Sequence, residues 1–220
     1  MEVKNCNITL SKEKSELGKN FIQNGKFSEA EKVLKQAFDL NPKNADAHFW
    51  QGVLLFNQSK FEDAIETLTK CIELAPNKGQ AYGLRAWVHY KLFELEDAIS
   101  DFSKAIEINS DPNDLTIFYN NRGLAYEKSG EYELASQDYS KCIELEPYDV
   151  AGYYNRGNVY LKLAEYEKAI ADYDKALEFA DNEYTTLSIT SNRENAEKLL
   201  NSGERKVWSR NPVNIRFSQD

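Results

Sequence analysis

The chain has 220 residues, 41% of them hydrophobic and 29% charged, a composition that suits a folded protein with room for a sizeable core. Its formal net charge of −9 and pI near 5.0 argue against nucleic acid and against an anionic membrane surface, because both call for clustered Lys and Arg. No run approaches the roughly 20 apolar residues of a membrane span, and Cys6, Cys71 and Cys142 have the spacing of neither a disulfide framework nor a zinc site. With no leader visible in the polar stretch Met1 to Leu10, a reducing, cytoplasmic location is the expectation.

In chain order, residues 1–10 read as a polar N-terminal segment. Five similar units follow over 11–183, at 11–44, 45–78, 79–112, 116–149 and 150–183. Each reads as two amphipathic helices joined by a short turn. In the fifth, Tyr153, Arg156, Gly157, Tyr160 and Leu161 mark the first helix and Leu163-Ala164-Glu165 the turn. Tyr166, Ala169, Ile170, Tyr173, Ala176 and Leu177 stripe the second. Pro42, Pro76 and Pro147 stand where they would stop second helices. The stretch Ser110 to Leu115 reads as a turn-rich insertion that loosens the junction of units three and four. Residues 184–202 read as a capping helix with Leu187, Ser191, Ala196, Leu199 and Leu200 on its inner side. Residues 203–220 read as a basic tail carrying Trp208, either a frayed end or a segment that docks on the array.

The units share one register. The alanines Ala30, Ala64, Ala98, Ala135 and Ala169 are separated by 34, 34, 37 and 34 residues. A small-residue ladder, Gly18, Gly52, Ala86, Gly123 and Gly157, takes identical steps, as do the bulky Phe27, Phe61, Leu95, Tyr132 and Tyr166. The small rungs let two helices cross closely, while Phe38, Tyr126, Tyr139, Tyr160 and Tyr173 are expected to fill the space beside them.

A 34-residue period with an early Gly, a central Ala, aromatic partners and a late Pro resembles the tetratricopeptide repeat family over about residues 11–183. Departures are Lys14 and His48 at the early aromatic position, Ala86 for Gly, and Asp181 where Pro is common. The resemblance implies an all-α fold, a right-handed superhelical solenoid of five helix-turn-helix hairpins plus the C-terminal helix. It also implies a protein or peptide partner held on a concave face lined by the first helices.

Projected onto this sequence, that face collects Phe49, Trp50, Val53 and Phe56 from unit two and Leu84, Trp87 and Tyr90 from unit three. Unit four adds Ile117, Asn120, Asn121 and Leu124, and unit five adds Tyr154, Asn155, Asn158 and Leu161. Unit one is more polar there, with Lys12, Ser15, Lys19 and Gln23. Two readings stand side by side: aromatics packed onto neighbouring hairpins, or an apolar groove flanked by amides that hydrogen-bond an extended peptide. Co-chaperones of the family grip a chaperone's C-terminal carboxylate with Lys, Asn and Arg. The matching positions here include Ser15, Lys19, Trp50, Gln80 and Leu84, so that clamp is absent.

Residues that could carry chemistry have quieter readings. His48 and His89 fall at helix positions, and Cys71 and Cys142 share a small rung with Ala37, Ala105 and Ala176. No phosphate loop, nucleophile elbow or metal-ligand spacing occurs, so neither enzyme nor cofactor nor metal is expected. Arginine and aspartate come and go together between copies. Arg85, Arg122 and Arg156 accompany Asp101, Asp138 and Asp172, whereas the first two units have Leu17 with Val33 and Gln51 with Thr67. The expectation is three bridges within hairpins: Arg85–Asp101, Arg122–Asp138 and Arg156–Asp172. A binding scaffold is the favoured function; a structural subunit of a larger assembly or homo-oligomer, its apolar surfaces permanently buried, is the alternative.

Overall fold

The computed structural model of the protein describes residues 2–203. The basic tail and Trp208 lie outside the described residues. The described chain is all-α, a solenoid of helical hairpins in eleven helices. The described residues form two compact units, divided between Ser110 and Asp111.

The first unit holds α1 (Glu2–Gln23), α2 (Phe27–Leu40), α3 (Ala45–Asn57), α4 (Phe61–Leu74), α5 (Gly79–Lys91) and α6 (Leu95–Ile108). Its hairpins are α1/α2, α3/α4 and α5/α6, and α1, α3 and α5 are successive neighbours. The second unit holds α7 (Pro112–Ser129), α8 (Tyr132–Leu145), α9 (Val150–Lys162), α10 (Tyr166–Phe179) and α11 (Glu183–Ser202). Here α7/α8 and α9/α10 are hairpins, and α11 packs on α10 and α9.

Every hairpin turns in the same way. Gly25, Ser59, Phe93, Gly130 and Ala164 all have φ between 58° and 81°, in the left-handed region. After each comes a backbone bond that closes the last turn, from Lys26 N to Phe21 O (2.8 Å) in the first hairpin to Glu165 N to Tyr160 O (2.9 Å) in the fifth. This is the helix-ending motif in which a residue past the helix bonds back to a carbonyl of its last turn. Second helices start directly from it without a side-chain cap, and acidic residues such as Glu62, Asp63, Glu96 and Asp97 complement their N-terminal dipoles. Three first helices are capped by side chains: Asn44, Asp111 and Asp149 accept backbone N–H bonds at the starts of α3, α7 and α9, whereas α5 starts at Lys78 without one.

The small rungs have a steric cause visible at Gly157. A Cβ there would stand 2.8 Å from the Tyr173 ring. Leu34, Leu68 and Tyr139 crowd Gly18, Gly52 and Gly123 in the same manner. The central alanines Ala30, Ala64, Ala98, Ala135 and Ala169 are all fully buried, as are Tyr139 and Tyr173. Burial keeps Cys71 and Cys142 among the core residues and pushes their thiols up, to about 11 and about 12.

Three details depart from the sequence reading. Residues 2–10 are not a separate segment but the opening turns of α1. The insertion before the fourth hairpin is helical too: Asp111 caps α7, Pro112 occupies its first turn, and α7 reaches 18 residues where α3, α5 and α9 have 13. Proline lacks only an N–H that the first turn would leave unsatisfied, so a stretch read as turn-rich starts a helix instead. In α11 the buried residues are Ile189 and Ala196, whereas Leu187 is 68% exposed and Ser191 is also exposed. The helix is rotated from the expected face because Ser188 and Asn192, on its inner side, find polar partners on α9.

Candidate functional site

The framework charges come together as bidentate pairs. Arg85 Nε and Nη2 donate to Asp101 at 2.7 and 2.8 Å, Arg122 to Asp138 at 2.8 Å twice, and Arg156 to Asp172 at 2.8 Å twice. The pairing spans 16 residues in each case, from first helix to second helix of one hairpin. Two arginines also reach the preceding hairpin: Arg85 Nη1 donates to Thr69 Oγ1 and Arg156 Nη1 to Ser140 Oγ, both at 2.9 Å. The Asp101 hydrogen bond holds the Arg85 guanidinium above its usual range, and Asp172 does the same for Arg156. Burial pushes the Asp138 carboxyl up, partly opposed by Arg122. These bidentate pairs hold the two helices of each hairpin together.

On the first unit, the expected aromatic face divides. Trp50 and Val53 pack against the cluster of Ile22, Ala30, Leu34 and Leu54. Phe49, Phe56 and Leu84 pack against Leu55, Ala64, Leu68 and Val88, with Phe49 also reaching Cys71, Ile72 and Ala81. All five are half-buried. Trp87 and Tyr90 instead stack on each other, ring centroids 5.0 Å apart and planes 7° from parallel. Lysines sit over the rings: Lys91 Nζ is 4.8 Å from the Trp87 centroid, Lys78 Nζ 4.9 Å from Phe49, and Lys19 Nζ 5.6 Å from Trp50. Each ammonium faces the negative side of a π system.

Ser15, expected on this face, is buried. Asn44 donates from Nδ2 to Ser11 Oγ (2.8 Å) and Ser15 Oγ (2.7 Å), while its Oδ1 caps α3. One side chain thereby ties α1 to the start of α3.

On the second unit, three of the four amides expected to flank a peptide, Asn120, Asn155 and Asn158, hydrogen-bond within the protein. Asn155 Nδ2 donates to Asn120 Oδ1 at 3.0 Å. Asn158 Oδ1 accepts from Tyr173 OH at 2.8 Å and from Asn192 Nδ2 at 2.9 Å. Tyr154 OH lies 3.1 Å from both Ser188 Oγ and Asn192 Nδ2 on α11. Asn121 is half-buried, and Ile117 is 54% exposed. The sequence could not show the bonds to α11, because that helix carries no repeat signature that would have placed Ser188 and Asn192 opposite α9.

Sequence reasoning also passed over a pocket of about 590 Å³ on the second unit, lined by Tyr148, Tyr154, Phe179, Tyr184 and Ile189 among others. Tyr148 and Tyr184 are 78% and 85% exposed. The available signal was Tyr148 itself, an aromatic in the Pro147-Tyr148-Asp149 loop. His89, Glu94 and Asp97 place ligand atoms within 4.8 Å of one another. Both carboxylates lie at the start of α6, where the helix dipole accounts for them.

Hairpins of two helices, closed through small rungs and joined by turns of one kind, define an all-α helical-repeat protein. The sequence profile described as the tetratricopeptide repeat matches residues 15–78 and 55–113, and again 117–149 and 150–183. The chain belongs to the tetratricopeptide repeat family, and that membership supports a role in protein interaction or scaffolding. No curated protein sequence matches the chain. Among solved structures, MamA is 26% identical with a TM-score of 0.67, over 74% of this chain and 93% of that one. PilF of Pseudomonas aeruginosa is 17% identical with a TM-score of 0.74, over 91% and 96%. YrrB, described as a tetratricopeptide protein with an unusual peptide-binding site, is 18% identical with a TM-score of 0.67, over 81% and 90%. The last two likenesses concern the fold. Among the described residues, no helix is long and apolar enough to cross a membrane.

Proposed function

We propose that this protein is a non-enzymatic adaptor that takes an extended segment of a partner protein on the first-helix face of residues 1–110. The supporting observation is the Trp87–Tyr90 stack on α5: two large rings, half-buried, packed on each other and under Lys91. Preformed aromatic surface costs little conformational entropy on binding, and such residues anchor interfaces. The peptide-binding site in the description of YrrB is in keeping with this reading. Free cysteines, two of them buried, suit a reducing cytoplasmic setting. The repeat limits 11–44, 45–78, 79–112, 116–149 and 150–183 remain our division of the array.

The test is affinity capture with the Trp87→Ala/Tyr90→Ala variant beside the wild type. A tenfold or greater loss of captured partner with an unchanged melting curve supports the reading. Unchanged capture, or loss of capture only because the array unfolds, defeats it.

A second reading, a subunit of a larger assembly, rests on the exposed Tyr148, Tyr184 and Leu187 of the second unit. Sedimentation over a hundredfold range of concentration separates the two, since only a self-associating subunit changes mass.

A further inference from the structure

Resting on that interaction reading, we infer that the partner segment is acidic, with apolar side chains between its carboxylates. The chain as a whole has a net charge of −9, yet lysines gather over the aromatic face of its first three hairpins. Three ammonium groups are each held over a ring: Lys19 over Trp50, Lys78 over Phe49 and Lys91 over Trp87. A ring positions a cation without neutralising it, so the charge stays available to an incoming anion.

The three lysines are not equivalent. Lys19 pairs with Glu16 and Lys78 with Asp46, each at 2.8 Å, and those carboxylates are 59% and 51% exposed. Such surface pairs are worth ~0–1 kcal/mol and exchange readily for another carboxylate. Lys91 has no carboxylate within ion-pair distance among the described residues. It stands beside the stacked Trp87 and Tyr90, so one apolar side chain on the rings and one carboxylate on Lys91 can be satisfied together. A basic segment would meet three ammonium groups instead.

The opposing effect is the acidic remainder of the protein. At physiological ionic strength the Debye length is about 8 Å, so distant surface carboxylates are screened while a carboxylate in contact with Lys91 is not. Local complementarity therefore sets the preference. In the second unit Lys162, the counterpart of Lys91, stands over Tyr132 but is already paired with Glu127 at 2.6 Å, and the amides Asn155 and Asn158 are bonded to Asn120 and to Asn192 of α11. The preference belongs to the first unit.

The test uses the full chain at 150 mM salt and three fluorescein-labelled pools of 12-residue peptides. All carry Phe or Leu at every fourth position; the acidic pool carries Glu or Asp at half of the rest, the amide pool Gln or Asn, the basic pool Lys. Fluorescence anisotropy should show the acidic pool binding about fivefold more tightly than the amide pool, and the basic pool most weakly. In Lys91→Gln, with its melting curve unchanged, the acidic and amide pools should come within twofold of each other. Equal binding of acidic and amide pools to the wild type, both abolished by Trp87→Ala/Tyr90→Ala, overturns the acidic preference and leaves the interaction reading standing. A basic pool that binds most tightly overturns it equally. No binding by any pool overturns both.

Discussion

The Arg156 guanidinium donates from Nη1 to Ser140 Oγ at 2.9 Å, fastening the fifth hairpin to the fourth while its other nitrogens hold Asp172. Removing the arginine leaves Asp172, whose side chain is only 9% exposed, without its counter-charge. Arg156→Ala should cost about 3 kcal/mol, towards the lower end for a buried pair because the arginine is 20% exposed. Ser140→Ala should cost ~1 kcal/mol, the net worth of one hydrogen bond. Urea unfolding of both variants measures the difference; equal losses would show that the tie between hairpins matters as much as the ion pair.

Gly157→Ala places a methyl group 2.8 Å from a carbon of the Tyr173 ring. Tyr173 is fully buried and its hydroxyl donates to Asn158 Oδ1, so the ring has little room to retreat. A loss of about 1–3 kcal/mol is expected from overpacking. Thermal unfolding checks it, and a variant as stable as the wild type would mean that the helices part without penalty.

Phe93 turns the third hairpin at φ +64° with its side chain 68% exposed. Left-handed backbone costs a bulky L-residue roughly 1–2 kcal/mol that glycine does not pay. Phe93→Gly should therefore raise stability by about 1 kcal/mol, read as a higher urea midpoint. A lower midpoint would reveal that the ring contributes more by contact than its backbone loses.

Cys71 and Cys142 are buried, and Cys6 is exposed. A thiol reagent at pH 8 should modify one cysteine per chain in the native protein and three after denaturation. Burial raises both core thiols from 9.0, to about 11 and about 12, so the folded state keeps them protonated where the unfolded chain ionises them. Their contribution is fully present below pH 9 and is lost as pH rises towards 11 and 12. Within that window each costs about 1.4 kcal/mol per pH unit. A Cys71→Ala/Cys142→Ala variant should have a flatter stability profile from pH 9 to 10.5 by roughly that slope per thiol; profiles that stay parallel would contradict it.

The repeats were legible because packing imposed them at fixed intervals. Tyr173 needs a hydrogen atom at Gly157, and the same requirement recurs through Gly18, Gly52 and Gly123. The Arg–Asp pairs were legible for a related reason, since each arginine arrives with its aspartate 16 residues on. The turn ladder was harder to see, because the left-handed residue is Gly at two turns and Ser, Phe or Ala at the others. Hydrogen-bonded geometry specifies that position more strongly than residue type does. The stretch around Pro112 read as turn because a proline's meaning depends on which side of a helix end it falls. The candidate site was half legible. First-helix positions of Trp87 and Tyr90 follow from the register, whereas their stacking and the roofing lysines depend on rotamers. The bonds that Tyr154 and Asn158 make to α11 were not legible, because Ser188 and Asn192 sit on a helix outside the repeat pattern.

Helix α11 meets the fifth hairpin through Tyr154–Ser188 and Asn158–Asn192, pairs 34 residues apart, the same interval that separates successive repeats. It stands where the first helix of a sixth repeat would stand, held to α9 at the repeat's own interval. Gene duplication that adds or deletes one 34-residue cassette upstream would therefore leave this contact intact. The number of hairpins before α11 can change over evolutionary time without disturbing the seat of that helix.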